Sequence, residues 1–368
     1  MNHLVAKVAG KSKGERPQND SSKGNGAPRR VLVVGVGGAG CAAVEWVEED
    51  CPEAATIALN TDRVALEFHR CDSKMLIGDS LFHGHGSQGH LEAAQRAANE
   101  ARAELAQRLA GYGIVAVLTS LGGGTGAGAA PVVAAVAREA GAAVVAVAVL
   151  PFRVERTRRA RAFGALHTLR REAHTTILID SEALLPVAGH LPINQAMGLL
   201  DYFMAEVPRA LVRAAHEEAT TIVLAGGIGT VAYAEWSGSQ FESARHTMLL
   251  PSARGEPQLA LISVETHDGG SPSDTLATHV AAAIHAAPSS SPSRIALNRD
   301  SRMADGGRLV SIVTGLEAPV EAEGPAPSVS IEPTRVVSPM MAPPTVRPAP
   351  EPGEGDPAPA RDTIQRTL

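Results

Sequence analysis

One glycine-rich stretch of the sequence has the residue types of an anion-binding loop. Five of the seven residues in Gly122–Gly128 are glycine, and Thr125 lies among them. Because glycine has no Cβ atom, an anion can closely approach the backbone N–H groups, and a helix that begins there adds the positive end of its dipole. A flexible turn is the alternative, but a turn does not need flanking strand and helix patterns. We therefore expect this loop to bind phosphate.

The residues on both sides of the loop predict the elements that position it. Ile114–Leu118 is an unbroken apolar run, which is typical of a buried strand. Val132–Ala140 has the small and apolar residues of a packed helix, and Gly141 follows as a stop signal. This order of strand, loop and helix places the N–H groups of the loop at a helix N-terminus.

A second glycine motif lies nearer the start of the chain. The apolar run Val31–Val34 leads into Gly35–Gly40, which has the spacing G-x-G-x-x-G, and a predicted helix follows. Alone, this motif favours a Rossmann dinucleotide site of a nicotinamide or flavin oxidoreductase, with Asp62 about 20 residues further on as the ribose-binding acid. The loop at Gly122–Gly128 disfavours that alternative, because a Rossmann domain has no second phosphate cradle after its fourth strand.

The later loop resembles the phosphate-binding signature of the FtsZ/tubulin family. Gly122–Pro131 matches the family pattern GGGTGTG followed by Ala-Ala-Pro, except that Ala127 replaces the second threonine. The resemblance implies that the chain binds GTP or GDP, with Mg²⁺ beside the phosphates. Ala42 stands where the family has a nucleotide-contacting asparagine. The implied contacts in the two motifs are Gly37, Gly38, Ala39, Gly40, Cys41 and Ala42, and Gly122, Gly123, Gly124, Thr125 and Gly126.

The resemblance extends to the ribose and the base. Pro151–Arg159 is similar to the family stretch Pro-Phe-x-Phe-Glu-Gly-x-x-Arg, so Glu155 would accept from the ribose hydroxyls and Arg159 would reach sugar and phosphate. A solvated, arginine-rich helix start is the alternative reading of this stretch. Ser181 stands where the family has an asparagine at the nucleotide.

A long helix is predicted from Asn194 to about Ala219 by the spacing of its apolar residues. In the family this central helix reads the guanine base. Met197 takes the place of an aromatic residue that packs against the base. Asp201 matches the carboxylate that accepts hydrogen bonds from N1 and N2 of guanine. An ordinary exposed helix position is the alternative for Asp201. Pro208 is expected to kink this helix or leave a carbonyl unpaired.

A candidate catalytic segment follows the central helix. Ala225–Trp236 resembles the family loop that reaches the GTP of the next subunit, with Thr230, Ala232 and Glu235 in place of its asparagine and two aspartates. Glu235 is therefore the candidate that orients water in trans. The resemblance implies head-to-tail filaments with slow GTP hydrolysis, in bacterial cell division or a related cytoskeletal role. A non-hydrolysing GTP-binding scaffold or regulator is the alternative.

Composition and charge disfavour several other classes of protein. The net charge of −6 gives no support for nucleic-acid binding. The three cysteines form no CxxC pair, which argues against a disulfide framework or a zinc site. His83, His85 and His90 lie close together, but no carboxylate or cysteine completes a metal site. Because no apolar run is long enough to span a membrane and no secretory signal is visible, a cytoplasmic protein is expected.

The sequence predicts an α/β fold in five parts. These are a polar, mildly basic, disordered extension (1–29), a doubly wound parallel-sheet GTP-binding domain (30–193), the central helix (194–219), a smaller α+β C-terminal domain (220–316) and a disordered proline-rich tail (317–368). In FtsZ a comparable tail ends in a peptide that binds membrane-tethering partners. Arg361–Leu368 lacks the family's Ile-Pro-x-Phe-Leu pattern. The main expected binding partner is therefore another copy of this chain. Cell-division or membrane-tethering proteins are further candidate partners, which would bind the C-terminal tail.

Overall fold

A computed structural model describes residues 31–71, 73–236, 245–248, 258–266, 293–299, 307–317 and 319. All of these residues belong to one compact unit, Met1–Gly324. A second unit, Pro325–Leu368, lies outside the described residues. The predicted N-terminal extension also lies outside them.

The described part of the chain contains one sheet of eleven strands. They are β1 (Val31–Val36), β2 (Ala55–Asn60), β3 (Lys74–Leu76), β4 (Ile114–Ser120), β5 (Ala143–Leu150), β6 (Thr175–Asp180), β7 (Gly227–Trp236), β8 (Arg245–Met248), β9 (Leu259–Thr266), β10 (Ser293–Arg299) and β11 (Gly307–Leu316). The order across the sheet is β10-β9-β11-β7-β6-β5-β4-β1-β2-β3, and β8 pairs with β7 outside this path.

Seven neighbouring strands, in the order β7-β6-β5-β4-β1-β2-β3 across the sheet, pair in parallel. The C-terminal strands continue the same sheet beyond β7. β11 pairs antiparallel with β7 and with β9, and β10 is parallel to β9. Every residue of β1, β5 and β6 is buried, which explains the unbroken apolar sequences of β1 and β5. We call the edge where β1, β4, β5 and β6 end the carboxyl edge, and the opposite one the amino edge.

Helices cover both faces of the sheet, as expected for a doubly wound fold. They are α1 (Gly37–Asp50), α2 (Arg63–Phe68), α3 (Asp79–Phe82), α4 (Leu91–Glu100), α5 (Arg102–Leu109), α6 (Gly124–Glu139), α7 (Arg156–Glu172), α8 (Leu185–Ala188), α9 (Ile193–Arg213) and α10 (His216–Leu224). α1, α9 and α10 pack on one face, and α4, α6 and α7 pack on the other. No helix in this part of the chain has the length and apolar character that a membrane crossing needs.

The long helix α9 crosses the sheet from one edge to the other. It begins shortly after β6 ends at the carboxyl edge. Near its other end, Arg209 contacts Asp50, the last residue of α1. Because α1 starts at the carboxyl edge and returns to the start of β2, this contact lies at the amino edge. α10, which follows α9, therefore also begins at the amino edge.

Two sequence predictions fail in this region. The central helix was expected to continue to about Ala219, but α9 ends at Arg213 and a separate helix begins at His216. Pro208 lies inside α9 without ending it. The predicted loop at Ala225–Trp236 is largely the strand β7, whose hydrogen bonds are shared with β6, β8 and β11. Residues 227–236 form a strand because of tertiary pairing, which local patterns do not report.

A buried ionic cluster joins α1 and α9 to the C-terminal strands. Its members, which we call the Arg209 cluster, are Asp50, Tyr202, Glu206, Arg209, Arg213, Glu265 and Arg308. Nη1 of Arg209 lies 2.9 Å from Oε1 of Glu206 and 3.1 Å from Oδ2 of Asp50. Burial by itself lowers the pKa of Arg209, but the neighbouring Glu206, Tyr202 and Asp50 outweigh it and raise the pKa above its ordinary value. Arg209 therefore stays charged.

Candidate functional site

The two glycine motifs lie side by side at the carboxyl edge. β1 and β4 are neighbours in the sheet, with Val36 paired to Thr119. α1 begins at Gly37 directly after β1, and α6 begins at Gly124 shortly after β4. Two helix N-termini therefore meet at one point of the edge. This arrangement concentrates unpaired N–H donors and the positive ends of two helix dipoles.

The two motifs pack so closely that several of their glycines cannot carry a side chain. A Cβ atom on Gly35 would collide with the carbonyl oxygen of Gly40, and one on Gly40 would collide with that of Leu118. A Cβ atom on Gly126 would collide with the carbonyl oxygen of Ser120. These glycines are needed to bring strand, loop and helix together.

Gly38 and Gly123 are exposed and have a different role. Apart from their own stretches of chain, no heavy atom of the described residues lies within 4 Å of a Cβ atom built on either glycine. Gly123 has φ −99° and ψ 162°, which any residue can adopt. Packing and backbone geometry therefore do not require glycine at these two positions. Glycine at these positions leaves open space beside the two helix N-termini, where N–H donors and helix dipoles favour an anion such as phosphate.

Three hydroxyl groups converge at the loop Gly122–Gly128, which we call the phosphate loop. Oγ1 of Thr125 lies 2.7 Å from Oγ1 of Thr61 and 3.1 Å from Oγ of Ser87. Oγ1 of Thr61 also accepts a hydrogen bond of 3.0 Å from the N–H of Ser87. All three residues are buried. The segment Gly84–His90 is thus attached to the phosphate loop. Sequence reasoning did not identify this contact, because its members are far apart in the chain.

Asp62 has a structural role at the start of α2. It is the N-cap residue, and its carboxylate accepts a hydrogen bond of 2.8 Å from the N–H of Ala65. The Rossmann alternative required this carboxylate to bind a ribose. Its use as a cap, beside a cradle formed by two glycine loops, disfavours the dinucleotide alternative.

Two of the predicted contact residues direct their side chains into the protein. Sγ of Cys41 lies 3.5 Å from the carbonyl oxygen of Leu59, and burial raises the pKa of this thiol to about 12. The hydroxyl of Ser181 donates a hydrogen bond of 2.6 Å to the carbonyl oxygen of Leu150, which ties the end of β6 to the end of β5. Cys41 can therefore serve a ligand only through its backbone, and the hydroxyl proton of Ser181 is already in use.

The start of α7 brings Glu155, Arg158 and Arg159 to the carboxyl edge. Glu155 pairs with Arg158, and Nε of Arg158 donates a hydrogen bond of 3.0 Å to the carbonyl oxygen of Gly122. Arg159 donates two hydrogen bonds, of 2.9 and 2.8 Å, to the carboxylate of Asp180. The sequence predicted that Arg159 reaches sugar and phosphate, whereas its guanidinium lies on Asp180. Arg158, which sequence reasoning did not select, reaches the phosphate loop.

The two residues predicted to read the base lie near the start of α9, at the carboxyl edge. Met197 and Asp201 are separated by one helical turn and are both half-buried. Met197 also packs against the core that contains α1. One ligand can therefore contact both side chains, and the guanine contact stays a prediction.

The predicted catalytic loop is wrong as a description of residues 227–236. Ala232 is fully buried in β7 and pairs with Ser311 of β11. A strand paired on both sides cannot extend as a loop into a neighbouring subunit. Because β7 runs parallel to β6, Glu235 near its end lies toward the carboxyl edge. Only the backbone of Glu235 is described, and its catalytic role stays a prediction.

The fold and the site define an α/β protein in which two glycine loops and two helix N-termini meet at one edge of a parallel sheet. Residues 30–189 match the Tubulin/FtsZ family, GTPase domain. This segment is a GTPase domain of that family, and the chain as a whole resembles FtsZ proteins. This confirms the family and the fold class that the sequence predicted.

Individual relatives agree with this assignment. The chain is 34% identical to cell division protein FtsZ 2 of Haloferax volcanii over 249 residues, which cover 64% of this chain and 62% of that protein. It is 40% identical to cell division protein FtsZ 2 of Methanocaldococcus jannaschii over 183 residues, which cover 50% of this chain and 48% of that protein. The chain thus matches about half to two thirds of the length of these curated relatives.

Solved structures show the same fold. A point mutant of FtsZ from M. jannaschii matches with a TM-score of 0.71 and 25% identity, covering 78% of this chain and 91% of that one. CetZ2 from Haloferax volcanii, solved as a GTPγS-bound protofilament, matches with a TM-score of 0.65 and 20% identity. That match covers 78% of this chain and 93% of the CetZ2 chain.

Proposed function

We propose that this chain is an FtsZ-like GTP-binding protein that assembles head to tail into filaments. The observation that carries the proposal is the open space at Gly38 and Gly123, where two helix N-termini converge on one cradle. Relatives that bear the name cell division protein, and a fold neighbour solved as a GTPγS-bound protofilament, support it. The corresponding biological role is cell division or a related cytoskeletal process.

Magnesium fits this site as a partner of the phosphates. Within the described ranges, no group of three or more His, Cys, Asp or Glu side chains could hold a metal ion by itself. Mg²⁺ commonly binds through substrate phosphates and water, with only one or two protein oxygens. The hydroxyls of Thr61, Ser87 and Thr125 are protein oxygens at the phosphate loop.

Guanine selectivity is expected to depend on Asp201. Asp201→Ala should weaken GTP and GDP binding by about 1–3 kcal/mol, because the N1 and N2 donors of the base lose their acceptor. A competition titration with GTP, GDP and ATP measures this effect. Asn194→Ala, at an exposed position on the first turn of the same helix, is the matched control and should leave the affinities unchanged. Equal affinity of the wild type for ATP and GTP would contradict the assignment.

Exposed apolar side chains at both edges of the sheet support head-to-tail assembly. Val154, Leu185 and Ile193 are 83, 52 and 69% exposed, and all three lie close behind the ends of β5 and β6 at the carboxyl edge. Leu224 is 52% exposed and precedes β7, which begins beside the start of β6 at the amino edge. A head-to-tail contact would remove such side chains from water.

Hydrolysis completed by the next subunit requires a carboxylate at the amino edge, because the cradle lies at the carboxyl edge. Glu217 and Glu218 are in the first turn of α10, which begins at the amino edge, and Glu217 is exposed. Glu235 is the candidate predicted from the sequence, but its strand ends toward the carboxyl edge. We favour Glu217 and Glu218 for this reason.

Phosphate release is expected to be slow and to rise more than linearly with protein concentration, because each site needs a neighbour. Loss of the carboxylate that orients water should lower the rate by about 10²–10⁴-fold. The measurement compares wild type, Glu217→Ala/Glu218→Ala and Glu235→Ala, with GTP affinity and sedimentation as controls. If only Glu235→Ala lowered the rate of phosphate release, the assignment to Glu217 and Glu218 would be wrong. Filaments without phosphate release in the wild type would identify a GTP-binding scaffold instead.

A further inference from the structure

Two adjacent arginines at the start of α7 have opposite surroundings. The side chain of Arg159 is 13% exposed and faces the end of β6. The side chain of Arg158 is 51% exposed and faces the phosphate loop. Both follow β5 at the carboxyl edge, so either could reach a nucleotide by position alone. Their partners distinguish them.

Arg159 is held within the protein. Its guanidinium forms a two-fold hydrogen-bonded pair with the carboxylate of Asp180, which is itself only 3% exposed, and also donates to the carbonyl oxygen of Pro151. The pair balances the charge of the guanidinium and uses the fork geometry that would otherwise suit a phosphate. Arg159 therefore ties α7 to the end of β6.

Arg158 lies over the first glycine of the phosphate loop. Its Nε atom donates to the carbonyl oxygen of Gly122, and its Nη1 atom donates to Glu155. A Cβ atom on Gly122 would lie 3.0 Å from Nη2 of Arg158, so glycine leaves room for the guanidinium. Within the described part of the chain, Nη2 makes no hydrogen bond or ion pair. The side chain thus keeps donors available at the entrance of the cradle.

We propose that Arg158, and not Arg159, is the cation that contacts the phosphates of the bound nucleotide. The inference rests on the proposed function and deepens it, because it assigns the phosphate-facing charge. Arginine presents several donors in a planar fork that matches phosphate oxygens. Arg158 combines that fork with a half-exposed position and a direct bond to the loop.

The test measures the affinities of guanosine, GDP and GTP in wild type and in arginine variants. Arg158→Ala is expected to weaken GTP binding about 10- to 100-fold, because charged hydrogen bonds to phosphate are lost, while guanosine binding changes little. Arg158→Lys keeps the charge but loses the fork, so an intermediate affinity is expected. Arg170→Ala, at an exposed position near the far end of α7, is the matched control and should bind like wild type.

Variants of Arg159 are expected to change the stability of the fold and not the affinity for GTP. Arg159→Ala leaves the buried carboxylate of Asp180 without its partner and should lower the melting temperature. Arg159→Lys preserves a positive charge beside Asp180, and the folded variant should bind GTP within about threefold of wild type. Wild-type GTP affinity in Arg158→Ala, or a larger loss in Arg159→Lys than in Arg158→Ala, would overturn the inference. A wild-type protein that binds no guanine nucleotide would instead overturn the proposed function, and the role of Arg158 with it.

Discussion

Gly123→Val is expected to abolish GTP binding without reducing the stability of the fold. A side chain at this position meets no other part of the described chain and needs no unusual backbone conformation. It would instead occupy the space in front of two helix N-termini. Phosphate displaced from those N–H donors loses several charged hydrogen bonds of about 1.5–3 kcal/mol each, so a loss of affinity of more than about a hundredfold is expected. Titration with GTP and a thermal melt of the same sample measure the two effects.

Comparison with two other glycines makes this test specific. Gly164→Val, in open space on α7 away from the cradle, should change neither affinity nor melting temperature by much. Gly124→Val should also abolish binding, but with a lower melting temperature. The reason is that a Cβ atom there would lie 2.5 Å from Oγ of Ser87 and 2.7 Å from the backbone of Gly89. Undiminished GTP affinity in a folded Gly123→Val protein would show that the loop is only a turn.

Arg209→Met is expected to destabilise the fold by about 3–5 kcal/mol, because it leaves buried carboxylates without their main cation. Glu206 and Asp50 both lie within 3.1 Å of Nη1 of Arg209, and all three residues are buried. The cluster connects α1, which begins at the cradle, with the C-terminal strands. Chemical denaturation of wild type and variant gives the difference in the free energy of unfolding.

The double variant Glu206→Leu/Arg209→Met separates charge balance from packing. In the Arg209 cluster, three arginines face three carboxylates, and the double variant removes one of each. It should therefore be less destabilised than Arg209→Met alone, which is the non-additive result expected for a coupled ion pair. Arg170→Ala, at an exposed position, should change stability by less than about 0.5 kcal/mol. Equal losses in the single and double variants would mean that packing, not charge, dominates.

Short-range signals in the sequence were sufficient for the class of protein and the main elements of the site. The unbroken apolar runs at Val31–Val34 and Ile114–Leu118 lie in the central strands β1 and β4, and a glycine motif follows each run within a few residues. These predictions succeed because a buried parallel strand and a glycine loop at a helix N-terminus each depend on neighbouring residues. Parallel pairing then places both motifs at one edge, as the order of elements implies.

Elements whose conformation depends on distant partners were not predictable in this way. The stretch at Gly227–Trp236 combines glycines with alternating small and apolar residues, which suits either a loop or a strand. It is a strand because β6 and β11 supply hydrogen bonds on both sides, and β11 begins only at Gly307. The contact between Thr61 and Thr125 is likewise formed by residues 64 positions apart.

The sequence by itself determined the two glycine loops, their strands and helices, and the family to which they belong. Only the tertiary structure decided between Arg158 and Arg159, which are adjacent and chemically identical. The difference arises because successive residues on a helix point in different directions. One direction leads to the buried carboxylate of Asp180, and the other leads to the carbonyl oxygen of Gly122. No local pattern specifies which arginine meets which partner, because both partners come from other strands and loops of the folded chain.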